Sequence, residues 1–453
     1  MRYQRFEERV FSLTEGSILK AVWKLGWPTM VTIAFQDLFS LVDMFFVGKL
    51  GKEAIASVSI CGVLLGFVFT IVLGISIGSV ALVARFMGRK DFQKVEEVAV
   101  QAILLGGGTS IFMMLAGFLY AEPLLRLLGA RGEVLYLGTS YLKIISLGAF
   151  TVFLAFSLNA VLRGTGDALT PMKIMALSNF INLVLDPFLI FGIWKFPRMG
   201  VAGSALATVL ARLVGMVLIL RVFFRGTSYL HLKWKNFRPR IDLMGRILRV
   251  GFFGSLQVLL RNFVAVLIMR IVAPFGAASL AAYGIVMRVL MVVLMPGMGI
   301  GNATSVLIGQ CLGAGKKARA RKTGWMSAGI YQGFLIFISL IFFLFASSII
   351  KVFTANPVVV KLGSDFLKII SLSFPFLALS TVLGRGLQGA GDTLGPLLIT
   401  ALTLILFQIP LVISLSQFFG PQGIGMGISI STVIHGVLIT LWFQRGKWQK
   451  KKI

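Results

Sequence analysis

Twelve runs of predominantly apolar residues follow one another along this chain, each about 20–30 residues and long enough to cross a bilayer. They cover approximately 18–47, 54–84, 97–120, 136–163, 169–194, 201–224, 246–273, 279–309, 323–348, 361–387, 394–418 and 423–444. Within a bilayer every backbone polar group must be satisfied by the protein, so only helices and closed barrels span it. Barrel strands read as short alternating segments, whereas these runs are unbroken, which selects helices. The expected fold class is an all-α integral membrane protein of twelve transmembrane helices. At 57% apolar residues a soluble domain is excluded.

The charge balance agrees. Forty-four Lys and Arg stand against 16 acids, a formal charge of +28. The bases lie in short tracts between apolar runs, as in cytoplasmic loops that retain Lys and Arg. Nucleic acid is therefore not the expected partner. Arg85, Arg89, Lys90 and Lys94 follow the second run; Arg225, Lys233, Lys235, Arg238, Arg240, Arg246 and Arg249 follow the sixth. Lys316, Lys317, Arg319, Arg321 and Lys322 follow the eighth, and Arg445, Lys447, Lys450, Lys451 and Lys452 close the chain. The alternate connections, such as 274–278 and 419–422, carry almost no charge. Both termini are thus expected in the cytoplasm, with the protein multi-pass in the cell (inner) membrane. The segment Met1–Glu15 mixes Arg2, Arg5 and Arg9 with acids and reads as interfacial or cytoplasmic, not as a cleavable signal. Cys61 and Cys311 are too few for a disulfide framework and read as small core residues.

The chain also repeats itself. Displaced by 225 residues, Lys143-Ile-Ile-Ser-Leu147 recurs as Lys368-Ile-Ile-Ser-Leu372. Gly164-Thr-Gly-Asp167-Ala-Leu169-Thr-Pro171 recurs as Gly389-Ala-Gly-Asp392-Thr-Leu394-Gly-Pro396, and Gly51, Gly74 and Gly88 recur as Gly276, Gly299 and Gly313. Six spans per repeat give both halves the same orientation, the parallel arrangement known from transporters. The expected organisation is an N-terminal six-helix lobe over 1–224, a basic linker over 225–245 and a C-terminal six-helix lobe over 246–453. The two Gly-Asp loops read as turns whose aspartate caps the next helix, so Asp167 and Asp392 are expected to be structural.

Chemistry is expected where the halves differ. Asn182-Leu-Val-Leu-Asp186-Pro187 lies within the fifth run, and its carboxylate costs roughly 2.5–3.5 kcal/mol at mid-membrane. Asn182 and Asp186 share one helix face, and Pro187 favours a bend beside the acid. In the other half these positions are Phe407 and Leu411, and Asp43 corresponds to Ile268. Asp43 lies about 7 Å of helix rise from Gly48, and Asp186 about 13 Å from Lys195, placing both in the outer half. Two carboxylates in a low dielectric cannot both stay ionised uncompensated, which favours a shared proton or a bound cation. Asp37, about 120° around the helix from Asp43, either lines the cavity or pairs with an arginine such as Arg163. Pro28 is equally a packing bend or a hinge. Arg261, Arg270 and Arg288 could snorkel, line a cavity or pair with acids. Met287, Met291, Met295 and Met298 read as core or lipid-facing residues before an adaptable binding surface, and His435 as a packing residue.

The stretches Val42-Asp43-Met-Phe-Phe-Val47-Gly48-Lys-Leu50-Gly51, Arg163-Gly-Thr-Gly-Asp167 and Asn182-Leu-Val-Leu-Asp186-Pro187 together resemble the multidrug and toxic compound extrusion (MATE) family. The resemblance covers nearly the whole chain. It implies a secondary antiporter, not an enzyme, that exports cationic or amphipathic compounds by alternating access. The exchanged ion is H+ or Na+, and no other cofactor is implied. In the branch resembling DinF the coupling site lies in the N-terminal lobe. That resemblance places Asp43, Asn182 and Asp186 at the site, with Ser204 as a hydroxyl neighbour. The same three would hold the metal ion if the coupling is to Na+. Gln36 falls at a polar cavity position beside Asp37, and Pro28 at a bending proline. The branch resembling NorM uses acids in the C-terminal lobe, and the seventh and tenth spans here lack acids of that pattern. The partners expected are small-molecule substrates and the lipid bilayer, with the chain a monomer.

A lipid or lipid-linked oligosaccharide flippase of the same wider superfamily is the main rival, and the arginines of the second half give it footing. A membrane enzyme would need converging His, Ser or metal-ligand clusters, which two scattered histidines do not supply. A channel does not account for a two-lobe repeat with a one-sided acid site. There is no Walker nucleotide-binding motif to power transport.

Overall fold

The structure is a computed structural model that describes residues 11–225, 237–451 and 453. The readings made for Met1–Val10, for 226–236 of the linker and for Lys452 lie outside the described residues. No strand occurs among the described residues. Ten helices are long and apolar enough to cross a membrane, and two further pairs of helices do so if each bent pair counts as one span. That makes twelve. In order they are Ile18–Gly48, Lys52–Gly88, Phe92–Leu119, the pair Gly132–Leu147 and Ala149–Gly164, Leu169–Phe191 and Val201–Arg225. The second set is Ile241–Phe275, Ala277–Gly313, Lys317–Lys351, the pair Pro357–Ser371 and Phe374–Gly389, Leu394–Phe419 and Pro421–Gln444. The protein is an all-α multi-pass membrane protein.

Contacts divide the chain into two compact units, and the divisions fall inside helices. One unit includes Val31–Phe252; the other combines Phe11–Met30 with Phe253–Ile453. The first span therefore changes unit two residues after Pro28, and the seventh changes at Phe252.

Within each unit the repeat reaches the level of single hydrogen bonds. Gly166 N–H donates to Arg163 and Asp167 N–H to Leu162; in the second unit Gly391 N–H donates to Gln388 and Asp392 N–H to Leu387, all at 2.9 Å. Gly166 and Gly391 have φ of +91° and +83°, a left-handed turn that a side chain rarely adopts. Asp167 then accepts from Thr170 N–H at 3.1 Å, and Asp392 from Gly395 N–H at 3.4 Å, each satisfying an orphan donor at a helix start. The capping role expected of both aspartates is what they perform. Asp392 does more, accepting also from Trp442 Nε1 at 2.9 Å and Lys451 Nζ at 2.7 Å.

Helix contact inside a bilayer is driven by close packing, not by a hydrophobic gradient, so small residues line it. Gly164 faces Val80 and Val83, and its counterpart Gly389 faces the backbone of Ser305. The bends of the fourth and tenth spans, 48° and 57°, occur at equivalent places with different causes. The first breaks at Gly148, which has no side chain to support the helix; the second breaks beside Ser373 and Pro375, whose ring supplies no amide donor. The eleventh span opens into a π-helical segment, Leu402–Gln408, just before Pro410. The fifth span, by contrast, stays α-helical through Pro187.

Candidate functional site

The first and fifth spans meet along their length within the first unit. Asn179 donates its side-chain amide to the Phe35 carbonyl. The rings of Phe46 and Phe191 pack edge to face at 6.3 Å. Between these two contacts Asn182 Nδ2 lies 3.4 Å from Asp43 Oδ1 and 3.4 Å from Asp186 Oδ1. The two carboxyl groups are close enough for their charges to interact. Asp43, Asn182 and Asp186, read from sequence as one site, thus converge, and all three are buried, Asp186 completely at 0% exposure. Helical spacing explains this: Asn182 and Asp186 are one turn apart on the face that Asn179 fastens to the first span.

Three residues that the sequence reading passed over complete the cluster. Thr208 Oγ1, on the sixth span, donates to Asp43 Oδ2 at 3.0 Å. Arg212, one turn further, stacks its guanidinium over Phe39 at 5.3 Å and interacts with the charge of Asp43. Tyr141, buried on the fourth span, lies within the field of Asp43, Arg212 and Asp186. The signal was present, since Ser204, Thr208 and Arg212 recur at four-residue intervals on one face of an apolar span. An arginine mid-span carries the same meaning as an acid there.

The remaining sequence candidates are placed as follows. Ser204 is buried one turn before Thr208, and its hydroxyl has no hydrogen-bond partner. The hydroxyl that reaches Asp43 is that of Thr208. Gln36 is half-buried and Asp37 is exposed. Pro28 is buried within an unbroken helix from Ile18 to Gly48. Cys61 and Cys311 are free and buried, as expected of small core residues.

The charge inventory of the cluster is two carboxyls against one guanidinium. With both acids ionised it is one positive charge short, and one proton or one monovalent cation makes it neutral. Two acceptor atoms stand ready: Asp186 Oδ2 and Asn182 Oδ1 are buried without a hydrogen-bond partner. A buried acceptor left unsatisfied costs about 1–3 kcal/mol, more when charged, so the arrangement favours uptake of a proton or an oxygen-liking cation. No group of three or more His, Cys, Asp or Glu that could hold a metal ion occurs among the described residues.

The MatE family profile matches residues 28–188 and again residues 255–414, once in each half. The probable multidrug resistance protein NorM of Thermotoga maritima is 29% identical over 461 residues, spanning 100% of this chain and 98% of its own. An FAD transporter of Shewanella oneidensis is 28% identical over 444 residues, covering 96% of each chain. A crystal structure of MATE in the bent conformation superposes with a TM-score of 0.91 at 24% identity, over 97% of this chain and 98% of that one, a likeness in fold.

Proposed function

The chain belongs to the MatE family, and we propose that it is a secondary active antiporter that exports cationic or amphipathic compounds in exchange for H+ or Na+. The observation that carries this is the buried cluster of Asp43, Asn182 and Asp186, which lacks one positive charge and keeps two acceptor atoms unmatched. Relatives named for multidrug resistance and for FAD transport support small-molecule cargo. The buried acids Asp43 and Asp186 of the first half, whose counterparts in the second are Ile268 and Leu411, favour a DinF-type branch, with both termini cytoplasmic and the chain a monomer.

In the mechanism we infer, the outward-open protein takes up one ion at Asp43 and Asp186, with Asn182 as a neutral ligand. Thr208 and Arg212 hold Asp43 in place and balance its charge. Neutralising the pair removes the penalty for closing the cavity around it, and the first helix bends near Pro28 and expels cargo past Gln36 and Asp37. The lobes then rock, the ion leaves to the cytoplasm and the cycle restarts. One charge entering across 100 mV supplies roughly 2.3 kcal/mol when the cargo is neutral, and the ion's concentration gradient alone drives exchange for a monovalent cation, in both cases without nucleotide hydrolysis.

The test is uptake of a fluorescent cation by proteoliposomes under imposed pH or sodium gradients, comparing wild type with Asp186→Asn. Gradient-driven transport lost in the variant supports antiport through this site. Unchanged transport removes Asp186 from coupling. No cation transport from correctly folded wild type makes the lipid-flippase reading the one to pursue.

A further inference from the structure

The second unit holds a polar cluster that ion coupling does not use. Gln257, buried in the seventh span, donates Nε2 to Thr400 Oγ1 at 2.7 Å and to the Pro396 carbonyl at 3.3 Å. Its Oε1 accepts from Gln388 Nε2 at 2.8 Å, and Gln388 Oε1 accepts from Arg385 Nη1 at 3.3 Å. Thr400 Oγ1 also meets His435 Nε2 at 3.2 Å. The chain of hydrogen bonds therefore ties four spans together and ends on a guanidinium. Arg261, one turn beyond Gln257, lies near enough to Arg385 and His435 for their charges to interact.

Two guanidiniums repelling each other inside apolar spans are costly and call for a negative partner. Among the described residues of the second unit none is free to serve, Glu15 being paired with Lys316. Residues 253–453 contain two acids, Asp365 and Asp392. Asp365 accepts from Gln422 Nε2 at 3.1 Å, and Asp392 is taken by its cap, Trp442 and Lys451. Arg261 makes no hydrogen bond or ion pair among the described residues, and its side chain is exposed rather than packed away. Arg385 spends one N–H on Gln388, which fixes its direction, and keeps further donors. A pair of planar forks, one of them aimed by an amide chain, suits a doubly charged tetrahedral oxyanion better than a single carboxylate.

We propose that Arg261 and Arg385 form a binding site for the phosphate monoester head of an amphipathic molecule, steadied by Gln388 and Gln257. Calling that molecule cargo rests on the exporter reading; the binding site itself does not. A lipid headgroup and a soluble phosphate monoester share this chemistry.

The experiment titrates the full chain, in phosphatidylcholine nanodiscs, with phenyl phosphate by calorimetry. Wild type is expected to bind saturably, and Arg261→Gln to weaken binding at least tenfold. Arg385→Gln is expected to do the same if it folds, checked by thermal melting; Arg261→Gln, at an exposed side chain, carries the test regardless. Arg270→Gln removes equal charge from the same span and is expected to leave binding unchanged. Nanodiscs containing phosphatidic acid separate the sources: phenyl phosphate displaced there assigns the site to a lipid headgroup, and phenyl phosphate still bound assigns it to a soluble monoester. No saturable binding, or equal binding by wild type and Arg261→Gln, overturns the site. Cation export from the same wild-type preparation is scored separately, so a failed site and a failed antiport reading give different results.

Discussion

Replacing Thr208 by Val removes one hydroxyl and keeps the shape of the side chain. The lost contact is the hydrogen bond from Thr208 Oγ1 to Asp43 Oδ2, 3.0 Å between two buried groups. Hydrogen bonds to charged groups contribute about 1.5–3 kcal/mol. At 1.36 kcal/mol per decade, that is roughly a ten- to 150-fold change in the affinity of the site for its coupling ion. The sign identifies the ion. The hydroxyl stabilises the ionised carboxylate against protonation, so with a proton the Val variant binds the ion more tightly and releases it more slowly. With sodium the carboxylates stay ionised when the ion is bound and Thr208 positions Asp43 beside Asn182 and Asp186, so its loss weakens binding. The assay is the ion-concentration dependence of substrate export in proteoliposomes, with Thr208→Ser as the rescuing control. A half-maximal ion concentration unmoved in either direction, at wild-type turnover, would refute a part for this contact in coupling.

Further outcomes follow from the same geometry. Asp186→Asn removes a buried carboxyl whose Oδ2 has no partner, so it should abolish coupled export while leaving thermal stability equal or raised by about 1–2 kcal/mol; a large loss of stability in detergent melting would mean that the acid is held for packing. Gly389→Ala would press a Cβ hard onto the Ser305 backbone, whereas Gly164→Ala meets Val83 Cγ1 and Cβ at 2.7 and 2.8 Å, a milder overlap. Melting should therefore show a loss of about 1–3 kcal/mol for Gly389→Ala and a smaller one for Gly164→Ala. Gln257→Leu strands Gln388 and Thr400, each buried, and should cost about 2–4 kcal/mol without altering the ion dependence of export.

Much of this was legible before any coordinates. The spans were readable because a bilayer leaves few alternatives for an apolar run of that length, and the turns because Gly166 and Gly391 perform the same left-handed step. Asp43, Asn182 and Asp186 were readable because a polar residue in an apolar run has few uses. Thr208 was not. Span hydroxyls are common and usually satisfied by their own helix, as Thr29 bonds Leu25 and Thr304 bonds Ile300. Only the approach of another helix sets Thr208 apart. Arg212 and Arg385 obey the rule that exposed Asp186, but a long guanidinium side chain can snorkel to an interface, so the sequence alone does not fix it inside. The bends at Gly148 and Ser373 left no mark because hydrophobicity runs straight through them.

The two halves share their turns and differ in their charges, and this division has a physical reason. A repeated fold needs its caps and close helix contacts twice, so Asp167 and Asp392, or Gly164 and Gly389, are kept in both copies. A charged group within a span is a cost that function must justify, and it needs to be borne only once. Asp43 and Asp186 face Ile268 and Leu411 across the repeat, while Arg261 and Arg385 face Gln36 and Ala160. Pro28 follows the same pattern, its counterpart being Phe253. Pro28 supplies no amide to the Lys24 carbonyl, which weakens the first helix two residues before it changes unit. Phe253 retains that amide at the matching change in the seventh helix. Of these two matching helices, the one lacking an amide at the change of unit is therefore the one that carries Asp43.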